Sequence, residues 1–102
     1  MSLNFSSVAC VGMRFRQPED QAVAGALLPG DPVHLEREPY NPHDENAIKV
    51  IYSDHHIGYI ARDSASFIAA YMDEGRRFGA TVIGRARSAI HLNVISDDAA
   101  PD

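Results

Sequence analysis

Apolar residues recur at every second position over most of the chain, the period of a strand with one buried face. In VHLERE (33–38), Val33 and Leu35 fall on one face and His34, Glu36 and Glu38 on the other. AIKVIY (47–52) sets Ile48, Val50 and Tyr52 against Lys49 and Ile51, and IGYIA (57–61) follows after the tight connection SDHH. RFGATVIGRAR (77–87) and AIHLNVIS (89–96) form the last pair, joined through Ser88. Phe78, Ala80 and Val82 on one, and Ile90, Leu92 and Val94 on the other, are set to face a core. The first strand is SVACVGMRF (7–15), rich in small and branched apolar residues.

One stretch changes period. DSASFIAAYMDEG (63–75) carries Phe67, Ile68, Tyr71 and Met72 as an apolar stripe at helical spacing. Asp63 or Ser64 is placed to cap its start and Gly75 to stop it. A shorter helical piece over QAVAGALL (21–28) is weakened by Gly25 and Pro29, and Pro18 in RQPED before it reads as a break. Six short strands with tight connections, and one main helix between the fourth and fifth, predict a mainly β fold. The expected form is a small, partly open, OB-like antiparallel barrel with the helix plugging one end. The boundaries that follow are an N-terminal tail at 1–6, the barrel at 7–96 and a disordered acidic tail at 97–102.

Length and composition narrow the class. A chain of 102 residues, 45% apolar, suits one domain that needs neither disulfide nor metal to fold. Cys10, the single cysteine, lies in a strand and reads as a small buried apolar residue. Without a disulfide framework a reducing, cytoplasmic compartment is the default, and the apolar runs are too short to span a bilayer. The formal charge of −5 argues against broad nucleic-acid binding, although Asp97, Asp98 and Asp102 fall in the C-terminal SDDAAPD. The basic residues are arginines with the sole exception of Lys49, which leaves room for a small local phosphate site.

No nucleophile elbow, phosphate-cradling glycine loop or cysteine–histidine pair is visible, so no enzymatic role and no cofactor are expected. His55 and His56, with Asp44, are the only grouping that suggests a metal. Adjacent strand residues point to opposite faces, and a solvated hairpin tip is the reading adopted. The remaining feature is REPYNPHDENAIKV (37–50). Pro39 and Pro42 hold Glu38 and Asn41 in extended backbone, and Asp44 and Asn46 can accept backbone N–H bonds that close the turn. Tyr40 and His43 are rings on a stiff turn where nothing local demands them, and such platforms beside an acid suit base stacking and a sugar hydroxyl.

REPYNPHDENAIKV, with VGMRF before it and IGYIARDSA after it, resembles the HIRAN domain over nearly the whole chain, from about Val8 to Ile95. The resemblance implies an OB-like β-barrel that binds single-stranded DNA, prefers a free 3′ end and serves a larger DNA-processing protein. It implies that Asp44 receives the 3′-hydroxyl and that Asn41 lines the same pocket. Arg14 would hold phosphate and Phe15 would stack a base, while Tyr59 and Arg62 match positions near the DNA backbone. His43 stands where the family often has tyrosine, so an imidazole replaces the second stacking ring. The alternative is a protein-interaction barrel in which the turn is structural and the acidic surface meets a basic partner.

Overall fold

The computed structural model describes residues 2–97; the acidic stretch expected to be disordered lies, from Asp98 onward, outside the described residues. Six strands form a closed antiparallel barrel: β1 (Asn4–Val11), β2 (Pro32–Arg37), β3 (Ile48–Tyr52), β4 (His55–Ile60), β5 (Phe78–Ala86) and β6 (Ala89–Ser96). Around the barrel their order is β1-β4-β3-β2-β5-β6. A 3-10 turn (Met13–Phe15) and α1 (Pro18–Ala26) follow β1, and α2 (Arg62–Asp73) lies between β4 and β5. This is the small OB-like barrel that the alternation predicts, closed rather than partly open.

The alternating residues build one core. Val8 and Cys10 of β1, Val33 and Leu35 of β2, Ile48 and Val50 of β3, and Val82, Leu92 and Val94 of β5 and β6 are all buried. Burial pushes the Cys10 thiol up to about 12, so it packs as an apolar group and holds no thiolate at neutral pH. The β3–β4 connection places Ser53 and Asp54 at φ of 50° and 68°. Positive φ at both central residues of a two-residue loop matches the strands' right-handed twist.

Five expectations shift. The first strand starts at Asn4, not Ser7, because Asn4 and Phe5 pair with Ile95 and Val94 before a bulge at Ser7. It also ends earlier: Gly12, at φ 83°, turns the backbone left-handed and residues 13–15 coil into the 3-10 turn. Pro18 opens α1 instead of breaking it, since a proline's missing N–H costs nothing at the first helical position and Glu19 and Asp20 favour the positive helix end.

On α2 the buried stripe is Ala65, Ile68 and Ala69, with Phe67 left 66% exposed. Its N-cap is Ala61 without a side-chain cap bond, while Asp63 lies inside the first turn. Gly75, at φ 100°, does end α2. Its N–H donates to Met72 O at 3.0 Å and that of Arg76 to Tyr71 O at 3.0 Å, the paired bonds of a glycine-terminated helix.

Candidate nucleic-acid interface

The site is built where the end of β1, the 38–47 turn and the β4–α2 junction meet. The turn is held from both sides. On the barrel side Arg37 donates to Ala47 O at 2.8 Å and to Glu45 O at 3.0 Å, and pairs with Asp73 of α2 at 2.9 Å. Inside the turn, Asn41 Oδ1 accepts the N–H groups of His43 at 2.8 Å and Asp44 at 3.0 Å, and Asp44 Oδ1 accepts Asn46 N–H at 2.9 Å. Asp44 therefore closes the turn as expected, and the second closing side chain is Asn41.

Between this turn and β1 runs a groove of about 410 Å³. Val11, Phe15, Ala47 and Ile60 form its apolar walls, and Asn41, His43, Asp44, Tyr59 and Arg62 supply the polar rim. Six of the seven residues singled out from the sequence thus converge on one concavity. The seventh, Arg14, lines an adjoining hollow with Gly12, Met13 and Ser88, and Val11 and Phe15 are walls common to both. Its guanidinium carbon lies 4.8 Å from the Phe15 ring centre, and that ring is 75% exposed. The cation thus lies over one face of a ring that is otherwise exposed.

Asp44 uses one carboxylate oxygen in the turn. Its other oxygen lies 3.6 Å from Arg62 Nε, and Arg62 also donates to His43 O at 3.1 Å. Tyr59 donates its hydroxyl to Glu38 Oε1 at 2.7 Å, and its ring meets His56 edge-on at 4.7 Å. Burial, and then the Glu38 hydrogen bond, hold the Tyr59 phenol above its ordinary value. The same bond and a second one from Asn41 hold Glu38 below the usual carboxylate range. Burial first, and the nearby Arg16 charge second, depress the His56 imidazole. Glu38, Arg37 and the apolar wall positions Val11, Ala47 and Ile60 were not singled out by the sequence; the nearest signal is the compactness of the 37–50 motif itself.

Tyr40 is 92% exposed and faces a different hollow, with Pro39, Pro42 and Lys49. His55 and His56 diverge: the first bonds Asp20 at 3.1 Å, the second the Gly58 carbonyl at 3.0 Å. Among the described residues no three His, Cys, Asp or Glu side chains are grouped to hold a metal. Nor is any of their helices long and apolar enough to cross a membrane.

Comparisons with known proteins bear on this geometry. A family profile described as the HIRAN domain matches residues 3–97. Among solved structures, a protein from Lactobacillus plantarum is 29% identical with a TM-score of 0.75, covering 95% of this chain and 98% of its own. The HIRAN domain of human HLTF is 25% identical with a TM-score of 0.68, covering 96% of this chain and 78% of its own. No curated protein matches the sequence.

Proposed function

The chain belongs to the HIRAN family of DNA-binding modules, and on that premise we propose that it binds single-stranded DNA without catalysing a reaction and receives a free 3′-hydroxyl end in the groove. The observation that carries this reading is the carboxylate of Asp44, held by its turn at one side of an apolar-walled groove beside an exposed aromatic ring and two arginines. A carboxylate accepts a hydroxyl proton and repels a terminal phosphate, so it can discriminate one strand end from the other. Phe15 offers a stacking face, which suits any base, and His43 offers a smaller one across the groove. Arg14 and Arg62 supply sequence-independent phosphate contacts. In this role the module serves as the DNA-end grip of a larger DNA-processing protein.

Fluorescence anisotropy with short oligonucleotides ending in 3′-hydroxyl or 3′-phosphate tests the reading at low salt. Tighter binding of the hydroxyl end is expected; equal or absent binding overturns it. The formal charge of −5 favours a second reading, a barrel that docks a basic protein partner. In that case DNA produces no localised NMR shifts around the groove, and Asp44→Ala lowers stability alone.

A further inference from the structure

We infer that Glu38 is the positioning residue of the groove: one carboxylate oxygen, on the residue that follows β2, fixes both the Tyr59 wall and the turn that presents Asp44. Glu38 Oε1 accepts the Tyr59 hydroxyl at 2.7 Å and Asn41 Nδ2 at 2.9 Å. Those two donors come from β4 and from the turn, two elements that flank the groove. The contact with Asn41 sets which way its amide points. With Nδ2 drawn to the carboxylate, Oδ1 must face the N–H groups of His43 and Asp44, at 2.8 Å and 3.0 Å. A flipped amide would set NH₂ against N–H in the turn and lose both bonds.

Glu38 does not line the groove itself; it borders the hollow behind it, within 3.9 Å of Lys49 Nζ. It therefore acts through Asn41 and Tyr59. A second consequence concerns the ligand. Because the Tyr59 hydroxyl proton is committed to Glu38, Tyr59 offers the groove its ring and no free donor for phosphate oxygens. Tyr59 thus adds no donor to a wall whose two carboxylates, Glu38 and Asp44, already hold the nearest cations, Lys49 and Arg62. That arrangement favours an uncharged terminal hydroxyl over a terminal phosphate.

The effect on DNA rests on the end-binding function proposed above, whereas the effect on Asn41 and Tyr59 does not, so the experiment reads both in Glu38→Ala and Glu38→Gln. NMR of the free protein follows the Asn41 side-chain NH₂, the backbone N–H of His43 and Asp44, and the Tyr59 ring titration. Anisotropy follows 3′-hydroxyl and 3′-phosphate oligonucleotides. In Glu38→Ala the four NMR signals should shift, the Tyr59 titration should move down, and 3′-hydroxyl affinity should fall about tenfold or more, as loss of charge-assisted hydrogen bonds implies. The preference for hydroxyl over phosphate should shrink with it.

Glu38→Gln retains an oxygen acceptor for both donors and should keep the Asn41, His43 and Asp44 signals, with affinity within about fivefold of the wild type. Should Glu38→Ala fail to fold, Glu38→Asp replaces it: one methylene shorter, its carboxylate cannot reach both donors, and the same losses are expected. Unchanged NMR signals and end preference in either truncating variant overturn the inference. If the wild type binds neither oligonucleotide yet the NMR signals shift as described, the positioning role stands and DNA-end binding falls.

Discussion

Arg62 Nε lies 3.6 Å from Asp44 Oδ2, and the arginine side chain is 74% exposed whereas the carboxylate is only 20% exposed. The arginine thus screens, from the solvent side, the charge assigned to read the strand end. A pair this long, with its arginine in solvent, adds little to folding. Arg62→Ala should leave the melting temperature within about 2 °C, since surface pairs contribute roughly 0–1 kcal/mol. It should weaken oligonucleotide binding, lower its salt dependence by about 0.7 in the log–log slope for one lost phosphate contact, and raise the hydroxyl-over-phosphate ratio. A salt slope and ratio equal to wild type would remove Arg62 from the site.

Asp44→Asn separates end reading from grip. The amide oxygen can still accept Asn46 N–H, so the turn should persist. Affinity for the 3′-hydroxyl end should fall modestly, and affinity for 3′-phosphate should rise as the repelling charge disappears. Paired titrations at one ionic strength check this; parallel losses for both ends would count against Asp44 as the reader.

Arg14→Ala and Phe15→Ala act on the neighbouring part of the surface, where the guanidinium and the ring lie together. The first should weaken both end types alike, since a phosphate contact carries no information about the terminus. The second should cost about 1–3 kcal/mol of binding from lost base stacking. Since Phe15 is 75% exposed, folding should be little affected. An affinity unchanged in Phe15→Ala would show that no base rests there.

The strands were legible because each has one face on the same core, so a period of two recorded them directly. On α2 phase decides burial and side-chain size does not: the small Ala65 and Ala69 hold the buried positions and the large Phe67 stays exposed. Asn4 to Ser6 offer a single apolar residue, Phe5, too little to record a period, and the pairing of Asn4 and Phe5 with β6 is a long-range fact. The turn residues Asn41, His43 and Asp44 were legible through proline, Asx chemistry and family likeness. The Glu38–Tyr59 bond was not, because it joins positions 21 residues apart. Only the β2–β3–β4 ladder brings them together, and no local pattern encodes that register.

Acid should destabilise the barrel in two stages. Burial holds the His56 imidazole below its ordinary 6.5, so the unfolded chain takes up its proton first and stability falls as pH drops below 6.5. Glu38 is held below 4.5 by hydrogen bonds from Tyr59 and Asn41. Its contribution is present above 4.5 and lost as pH falls through the lower folded value. Melting temperatures from about pH 7.5 to about pH 2.5 should decline in that order. His56→Phe should flatten the first limb, even if it lowers stability at every pH by losing the bond to Gly58 O. A first limb unchanged in that variant would assign it elsewhere.

Gly58 is the position where β4 admits no side chain. A Cβ there would lie 2.7 Å from Val11 O, 2.9 Å from Cys10 Sγ and 3.1 Å from Met13 Sδ. Two of these neighbours are side-chain sulfurs, but the nearest is backbone, and Val11 also walls the groove. Relief therefore requires β1 to move just before the 3-10 turn that carries Arg14 and Phe15. Gly58→Ala should cost about 1–3 kcal/mol, as overpacked cores do, and lower the melting temperature by roughly 4–8 °C per kcal/mol in a domain of this size. Adding Cys10→Ala removes the Cys10 contact but leaves those with Met13 and the Val11 carbonyl, so it should relieve only part of the packing strain and, through its own cavity, recover little of the stability. Oligonucleotide affinity should fall with Gly58→Ala even well below the melting point, because the displaced strand carries the groove wall. A melting temperature within about 1 °C of wild type would show that β1 yields freely at Val11.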